Sequence, residues 1–282
     1  MVGEGIHVID CHQHVGDIAA VARKGTPGAE TENYQEAELE ARLTTMATRG
    51  FDQAILLPGH GYLRPQGNVD TMRVNDELAA YRDRDPAHFP AALGVVEPLH
   101  GELSFQELHR IKDELGLAGV SFHARFQGVA TNSRYVLDLA VEIGRLGLIP
   151  YVHAAAPSKD EDWWKIQEFA ECIPDVPVVA LDAFDSSEKS WEAVRVAVKT
   201  PNIYFDTSMC SSMQFVLPVI EEVGAERVIF GTDLYSSLTP NPPGAQRTII
   251  DQIVDADYLT LEDKRNILGE NIRRLLQLGP QA

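Results

Sequence analysis

Eight short apolar runs constrain this chain more than any other feature of its sequence. They occupy residues 6–10, 53–57, 92–96, 119–122, 148–152, 176–181, 203–206 and 227–231, separated by amphipathic segments or long connections. Strands alternating with helices predict βαβ units and a parallel sheet. Eight such units predict an α/β fold of the (β/α)8 TIM-barrel type, whose usual length is about 250 residues. The barrel is expected to be one domain over residues 1–282. A doubly wound open sheet is the alternative. No Gly-x-Gly-x-x-Gly follows the first run, which argues against its dinucleotide-binding version.

Composition suits an enzyme-sized domain, since 44% hydrophobic residues can build a substantial core. The start, Met1-Val2-Gly3-Glu4-Gly5, lacks a basic-then-apolar pattern, so no signal peptide is expected. No apolar run approaches the length of a membrane span. Cys11, Cys172 and Cys210 are scattered and odd in number, which predicts reduced thiols and a cytoplasmic location. The net charge of −18 argues against a nucleic-acid partner. An anionic small-molecule substrate stays open, because a metal and a few arginines reverse the potential locally.

In a barrel, chemistry gathers where the strands end. The first run leads into Asp10-Cys11-His12-Gln13-His14. Residues two apart on a strand share a face. His12 and His14 are therefore expected to project together, with Asp10 one step below and Cys11 turned away. The other strand ends supply His60, Glu97, His123 with Arg125, His153, Asp182, Asp206 with Ser208, and Asp233. So many ionisable endings predict a site. His12, His14, His153 and Asp233 offer three imidazoles and a carboxylate, a donor set for one divalent metal. Zn²⁺ is the first expectation, and Mn²⁺, Fe²⁺ or Co²⁺ suit the same ligands.

Alternation puts His123 and Arg125 on one face. His123 is a candidate for catalysis, substrate contact or a second metal. Arg125 can pair with a substrate carboxylate, and its structural alternative is an ion pair with Glu97 or Asp182. Arg64, in the Gly- and Pro-containing loop 59–67, is another substrate-contact candidate. Asn241-Pro242-Pro243-Gly244 is expected to shape the pocket rim. Trp163-Trp164 reads as packing, and His7, His88, His100 and His109 as surface or packing residues.

Ile9-Asp10-Cys11-His12-Gln13-His14 resembles the first-strand Asp-x-His-x-His of the amidohydrolase superfamily, and more closely the branch called amidohydrolase family 2. Gly119-Val120-Ser121-Phe122-His123, Ile149-Pro150-Tyr151-Val152-His153, Pro201 through Ser208, Phe230-Gly231-Thr232-Asp233 and Gly269 through Leu276 continue the resemblance along nearly the whole chain. It implies a (β/α)8 barrel with a metal at its mouth, held by His12, His14, His153 and Asp233. It also implies Asp233 as a base or proton relay. No lysine stands at the fourth-strand position where two-metal relatives carry a bridging lysine, so one metal is expected. Relatives commonly carry a histidine at the end of strand six, where this chain has Asp182. A carboxylate there can bind metal, hold a proton or contact substrate. Its structural alternative is a helix N-cap or a turn.

The reaction implied first is hydrolysis, by metal-activated water, of an amide, ester or lactone-type bond. The alternative on the same scaffold is metal-dependent non-oxidative decarboxylation of an aromatic or unsaturated acid. A third reading is an inactive metal- or ligand-binding barrel. Family analogy suggests a homodimer.

Overall fold

The computed structural model describes residues 5–16, 34–155, 158–234 and 249–279. Asn241 through Gly244 lie outside the described residues. Eight parallel strands follow one another in chain order: β1 (Ile9–Val15), β2 (Gln53–Pro58), β3 (Ala91–Gly94), β4 (Gly119–Phe122), β5 (Ile149–His153), β6 (Val178–Leu181), β7 (Ile203–Asp206) and β8 (Val228–Ile229). Between β8 and β1 the ring is joined by Cys11 N–H to the Phe230 carbonyl at 3.0 Å and His14 N–H to the Leu234 carbonyl at 2.8 Å. This is the predicted (β/α)8 barrel, and the open-sheet alternative falls away.

The outer helices are α1 (Tyr34–Arg49), α2 (Asn68–Arg84), α3 (Glu102–Asp113), the single turn α4 (Ala124–Gln127), α5 (Arg134–Arg145), α6 (Trp163–Cys172), α7 (Ser187–Lys199), α8 (Leu217–Val223) and α9 (Ile249–Asp255). The chain closes with α10 (Leu261–Arg265), a π-helical turn over Asn266–Glu270, and α11 (Asn271–Leu275). Helix α5 shows why such segments are helical. It buries Val136, Leu139, Ala140 and Ile143, an i, i+3, i+4, i+7 stripe that only a 3.6-residue period places on one face.

Alternation along the strands splits the core into two layers. Ile55 and Leu57 of β2 and Val179 and Leu181 of β6 fill the barrel interior. Ala54, Leu56, Val178 and Ala180 face the helices instead. Each buried branched side chain is worth about 1.5–3 kcal/mol, so a one-residue slip of either strand would be heavily penalised. At the N-terminal end of the barrel Ile272 joins the interior cluster. Asn271 Nδ2 donates to the Ala225 and Val228 carbonyls at 2.8 and 2.7 Å, pinning α11 there. Gly269 packs so tightly that a Cβ would collide with the His7 carbonyl.

Strand β1 departs from the sequence expectation. It starts at Ile9 rather than at residue 6, and it runs on through both histidines. Its register against β2 shifts between Asp10 and Gln13, where Asp10 pairs with Ala54 but Gln13 pairs with Leu56. One extra residue on β1 is a bulge, and a bulge breaks alternation. Cys11, two residues from Ile9, joins it in the barrel interior, and the bulge brings His12 and His14 to that same side instead of leaving Cys11 turned away from them. Asp10 is not beneath the histidines on their face, because it bonds Gln13 and Thr232 behind the strand.

Candidate active site

Three histidines reach the mouth of the barrel by the same local logic. His14 Nδ1 lies 2.7 Å from the Pro58 carbonyl, and His153 Nδ1 lies 2.8 Å from the Phe122 carbonyl. A carbonyl only accepts, so each ring carries its proton on Nδ1 and keeps Nε2 bare. His12 Nδ1 lies 2.9 Å from Asp206 Oδ2, and in the neutral ring that carboxylate assigns the same tautomer. The three histidines offer ring nitrogens that all lie within 4.8 Å of one another.

His12 Nε2 and His14 Nε2 are only 2.9 Å apart. Two lone pairs at that distance repel unless a cation or a proton stands between them. Asp233 Oδ1 is 3.5 Å from His12 Nε2 and 3.3 Å from His14 Nε2. Asp233 Oδ1 and His153 Nε2 are both buried without a hydrogen-bond partner, each at a cost of about 1–3 kcal/mol if nothing fills the role. A divalent cation among these atoms would remove the repulsion and give both buried atoms a partner at once. The residues present fit such an ion, and nothing in the donor set selects zinc over manganese.

The electrostatics follow from burial and from the carboxylates around it. Burial holds the His14 imidazole below its ordinary pKa, and burial among neighbouring imidazoles holds His153 well below it. Neutral imidazole is the form that binds metal. For His12, burial opposes the charge, but the hydrogen bond and charge of Asp206, with Asp233 and Asp182 beyond, push its pKa up to about 10. Burial pushes the Asp182 carboxyl up to about 8 despite His12 beside it. Burial acts on Asp233 in the same direction, yet His14 and His12 outweigh it and hold that carboxyl below its usual range.

Asp182 is the first residue past β6, as the sequence implied, and it is 5% exposed. It is not a helix cap: Ser186 caps α7 by accepting from Lys189 N–H at 3.2 Å. Asp182 Oδ1 accepts from Ser208 Oγ at 2.9 Å, and its own N–H donates to Asp206 Oδ1 at 2.9 Å. Asp182 and Asp233 both adopt left-handed backbone, with φ of 56° and 55°. Such conformations are tolerated by Asp more than by most residues and gather at functional sites.

His123 stacks flat on His153, with ring centroids 3.9 Å apart and planes 2° from parallel. Its Nδ1 meets Glu161 Oε1 at 2.5 Å. Arg125 is not beside it on a strand face. β4 ends at Phe122 and α4 begins at Ala124, so alternation does not extend to Arg125. Arg125 is exposed, with its guanidinium 4.9 Å from the Phe126 ring centroid. Glu97 pairs instead with Arg64, whose Nε donates to Glu97 Oε1 at 2.8 Å. Arg64 also donates to the Tyr62 and His60 carbonyls, at 2.9 and 3.0 Å. Three of its donors therefore brace loop 59–67.

Sequence reasoning left His60, Asp206, Ser208 and Glu161 without roles. His60 is buried in the mouth, with its ring centroid 5.4 Å from that of His153 and 5.6 Å from that of His123. Its position just beyond β2 was a usable signal, and so was the placement of Asp206 at the end of an apolar run. Glu161 ends a short 3-10 turn over Lys159–Glu161, and nothing local marks it. Trp163 is buried and donates Nε1–H to the Lys189 carbonyl at 2.8 Å, as a packing residue does. His88 and His109 pair with surface acids.

All three cysteines are free, and no helix among the described residues is long and apolar enough to cross a membrane. Solved structures share the architecture. The 5-carboxyvanillate decarboxylase of Sphingomonas paucimobilis superposes with a TM-score of 0.73 at 17% identity, over 98% of this chain and 100% of that one. The 2,6-dihydroxybenzoate decarboxylase of Rhizobium gives 0.67 at 16%, over 98% and 99%. The dihydroxybenzoic acid decarboxylase of Polaromonas sp. JS666, solved with manganese and 2-nitroresorcinol, gives 0.66 at 17%, over 98% and 97%. No curated protein sequence matches the chain. The sequence model of the amidohydrolase family matches residues 9–278, so this chain belongs to that family.

Proposed function

We propose that this protein is a metal-dependent non-oxidative decarboxylase of small aromatic carboxylic acids. The observation that carries the reading is the meeting of His12, His14, His153 and Asp233 at the barrel mouth, with two buried donor atoms left unpartnered. The likeness in fold to aromatic-acid decarboxylases favours decarboxylation over the hydrolysis expected first. His12, His14, His153 and Asp233 would hold the metal, with manganese the first to test. When bound, it would draw in the substrate carboxylate or a neighbouring hydroxyl and stabilise the charge there.

The chain's own residues then have to manage a proton, because the carbon that loses CO₂ must gain one. Asp182, buried at the end of β6, would be the carboxyl that holds it. His123, fixed through Nδ1 by Glu161, presents Nε2 as the second group able to hold or accept a proton. The flat His123–His153 pair offers an edge on which an aromatic ring can stack.

Hydrolysis is the second reading, and the ionised state of Asp233 supports it, since a carboxylate there can accept a proton from water. The test is product analysis on manganese-loaded enzyme offered 2,6-dihydroxybenzoate, 5-carboxyvanillate and a panel of lactones and amides in ¹⁸O-labelled water. Release of CO₂ without label in the aromatic product is the expected result. Label uptake from a lactone or amide without CO₂ would overturn it in favour of hydrolysis. Metal uptake without any turnover would favour a binding barrel.

A further inference from the structure

Behind the bulge in β1 lies a buried cation that neither the donor set nor the proton-handling residues involve. Arg42, on the inner face of α1, is fully buried. Its NH1 donates to Gln13 Oε1 at 2.8 Å, and one NH2 proton goes to the His14 carbonyl at 2.8 Å. Glu38, one helical turn earlier, takes Nε and NH2 on a single oxygen at 3.0 and 2.6 Å. The other Glu38 oxygen accepts from the Tyr81 hydroxyl at 2.5 Å. Glu38 and Tyr81 thus hold the guanidinium on the helix side, while its other donors reach two consecutive residues of β1.

The hydrogen bonds continue from there. Gln13 Nε2 donates to Asp10 Oδ2 at 2.8 Å. Asp10 Oδ1 accepts from His12 N–H at 3.1 Å and from Thr232 N–H at 3.0 Å, and Asp10 Oδ2 accepts the Thr232 hydroxyl at 2.6 Å. Thr232 is the residue before Asp233. One chain of side chains, Arg42–Gln13–Asp10–Thr232, therefore grips the backbone of His14, His12 and the residue beside Asp233. It does so across the bulge and across the β8–β1 junction.

We propose that Arg42 is a positioning residue for the metal centre, acting through Gln13 and Asp10 to hold the bulged conformation that points His12 and His14 into the mouth together. A strand without the bulge would alternate, and the interior would lose either Cys11 or the histidine pair. A bulge leaves an unpaired residue in the ladder. Here Asp10 takes the His12 N–H, while Arg42 engages the His14 carbonyl and Gln13. A planar guanidinium suits this task, because its fixed fork contacts carbonyl, amide and carboxylate at once. Asp10 in turn ties the bulge to the strand end that carries Asp233, so the two halves of the donor set move as one. The inference rests on the metal-centre reading above.

The experiment is Mn²⁺ binding by competition with a chelator, on folded protein checked by circular dichroism, for wild type, Gln13→Met and Glu38→Leu/Arg42→Met. Gln13→Met is close to isosteric. It removes the middle link while leaving Arg42 its Glu38 partner and Asp10 its Thr232 partner, so it retains the fold. The double variant removes both buried charges together, avoiding the stranded carboxylate that Arg42→Met alone would leave. Both are expected to bind Mn²⁺ about tenfold to a hundredfold more weakly than wild type, the usual range for groups that orient ligands without touching the metal. A purely structural role would lower the melting temperature and leave the dissociation constant of the folded protein unchanged. Wild-type affinity, within twofold, in folded Gln13→Met would overturn the inference. Failure of wild type itself to bind any divalent metal would instead overturn the centre on which it rests.

Discussion

His12 Nδ1 and Asp206 Oδ2 meet at 2.9 Å with both side chains fully buried. This pair ties β1 to β7 at the mouth and, in the neutral ring, puts the proton on Nδ1 and turns the Nε2 lone pair toward His14 and Asp233. Ser208 Oγ sits 2.6 Å from Asp206 and 2.9 Å from Asp182, so one serine links the orienting carboxylate to the carboxyl at the end of β6. Replacing Asp206 by Asn keeps the shape but offers His12 a weaker, uncharged partner. Metal affinity is expected to fall about tenfold to a hundredfold, measured by Mn²⁺ titration. An unchanged affinity would remove Asp206 from the site.

Removing the histidine pair should abolish binding altogether. Elemental analysis of His12→Ala/His14→Ala should find no metal where wild type carries about one equivalent, as a single donor set implies. The same comparison has a stability readout. Mn²⁺ at 100 times its dissociation constant should stabilise wild type by about 2.7 kcal/mol through mass action. The double variant should show no metal-dependent rise in melting temperature.

Gly231 marks where the site tolerates no more volume. A Cβ there would lie 2.7 Å from Asp206 Oδ2 and 3.1 Å from both Cys11 Sγ and His12 Cβ. Gly231→Ala must displace the His12–Asp206 pair, and over-packing of this kind costs about 1–3 kcal/mol. The expected outcome is a folded protein with a lower melting temperature and weakened Mn²⁺ binding. A variant with normal metal affinity would show that the pair can shift without losing its geometry.

Asp182 combines left-handed backbone with a buried carboxyl. That conformation costs a residue with a Cβ about 1–2 kcal/mol, a strain retained where the side chain has a use. Asp182→Gly should therefore hold or raise the melting temperature while lowering turnover about a hundredfold or more, the scale of proton-transfer catalysis. Asp182→Asn should retain the fold and the metal and lose the same turnover. Activity near wild type in either variant would move the proton-handling role elsewhere.

Glu161 holds His123 at 2.5 Å, and its carbonyl accepts Lys189 Nζ at 3.0 Å. Glu161→Gln should leave metal content unchanged and lower kcat more than it raises KM, by about tenfold or more if His123 handles a proton. A change confined to KM would make the pair a substrate-binding edge instead.

How much of this was legible in the sequence varies by residue. The barrel rhythm and the strand-end positions of His12, His14, His153, Asp182 and Asp233 could be read because they depend on local pattern and on where a parallel sheet puts its C-terminal ends. That Cys11 and the two histidines share one side could not be read, since it follows from the register shift of β1 against β2. Alternation also misled at Arg125, because the chain leaves the strand after Phe122 and enters a helical turn at Ala124. The loop position of Arg64 points toward substrate contact. Its guanidinium is taken up by Glu97 and two loop carbonyls, partners separated from it by up to 33 residues.

The sequence by itself determined the periodicities, and through them the eight strands, the helices and the residue types that end each strand. Those are short-range properties, set by side-chain spacing and backbone preference. Tertiary structure alone decided the tautomers of His12, His14 and His153 and the splitting of Asp182 from Asp233. It also placed the bulge that turns two histidines inward with Arg42 behind them. Each depends on a partner tens or hundreds of residues away. Burial in a low-dielectric barrel mouth then makes those partners, rather than the ordinary chemistry of the side chains, decide charge and direction.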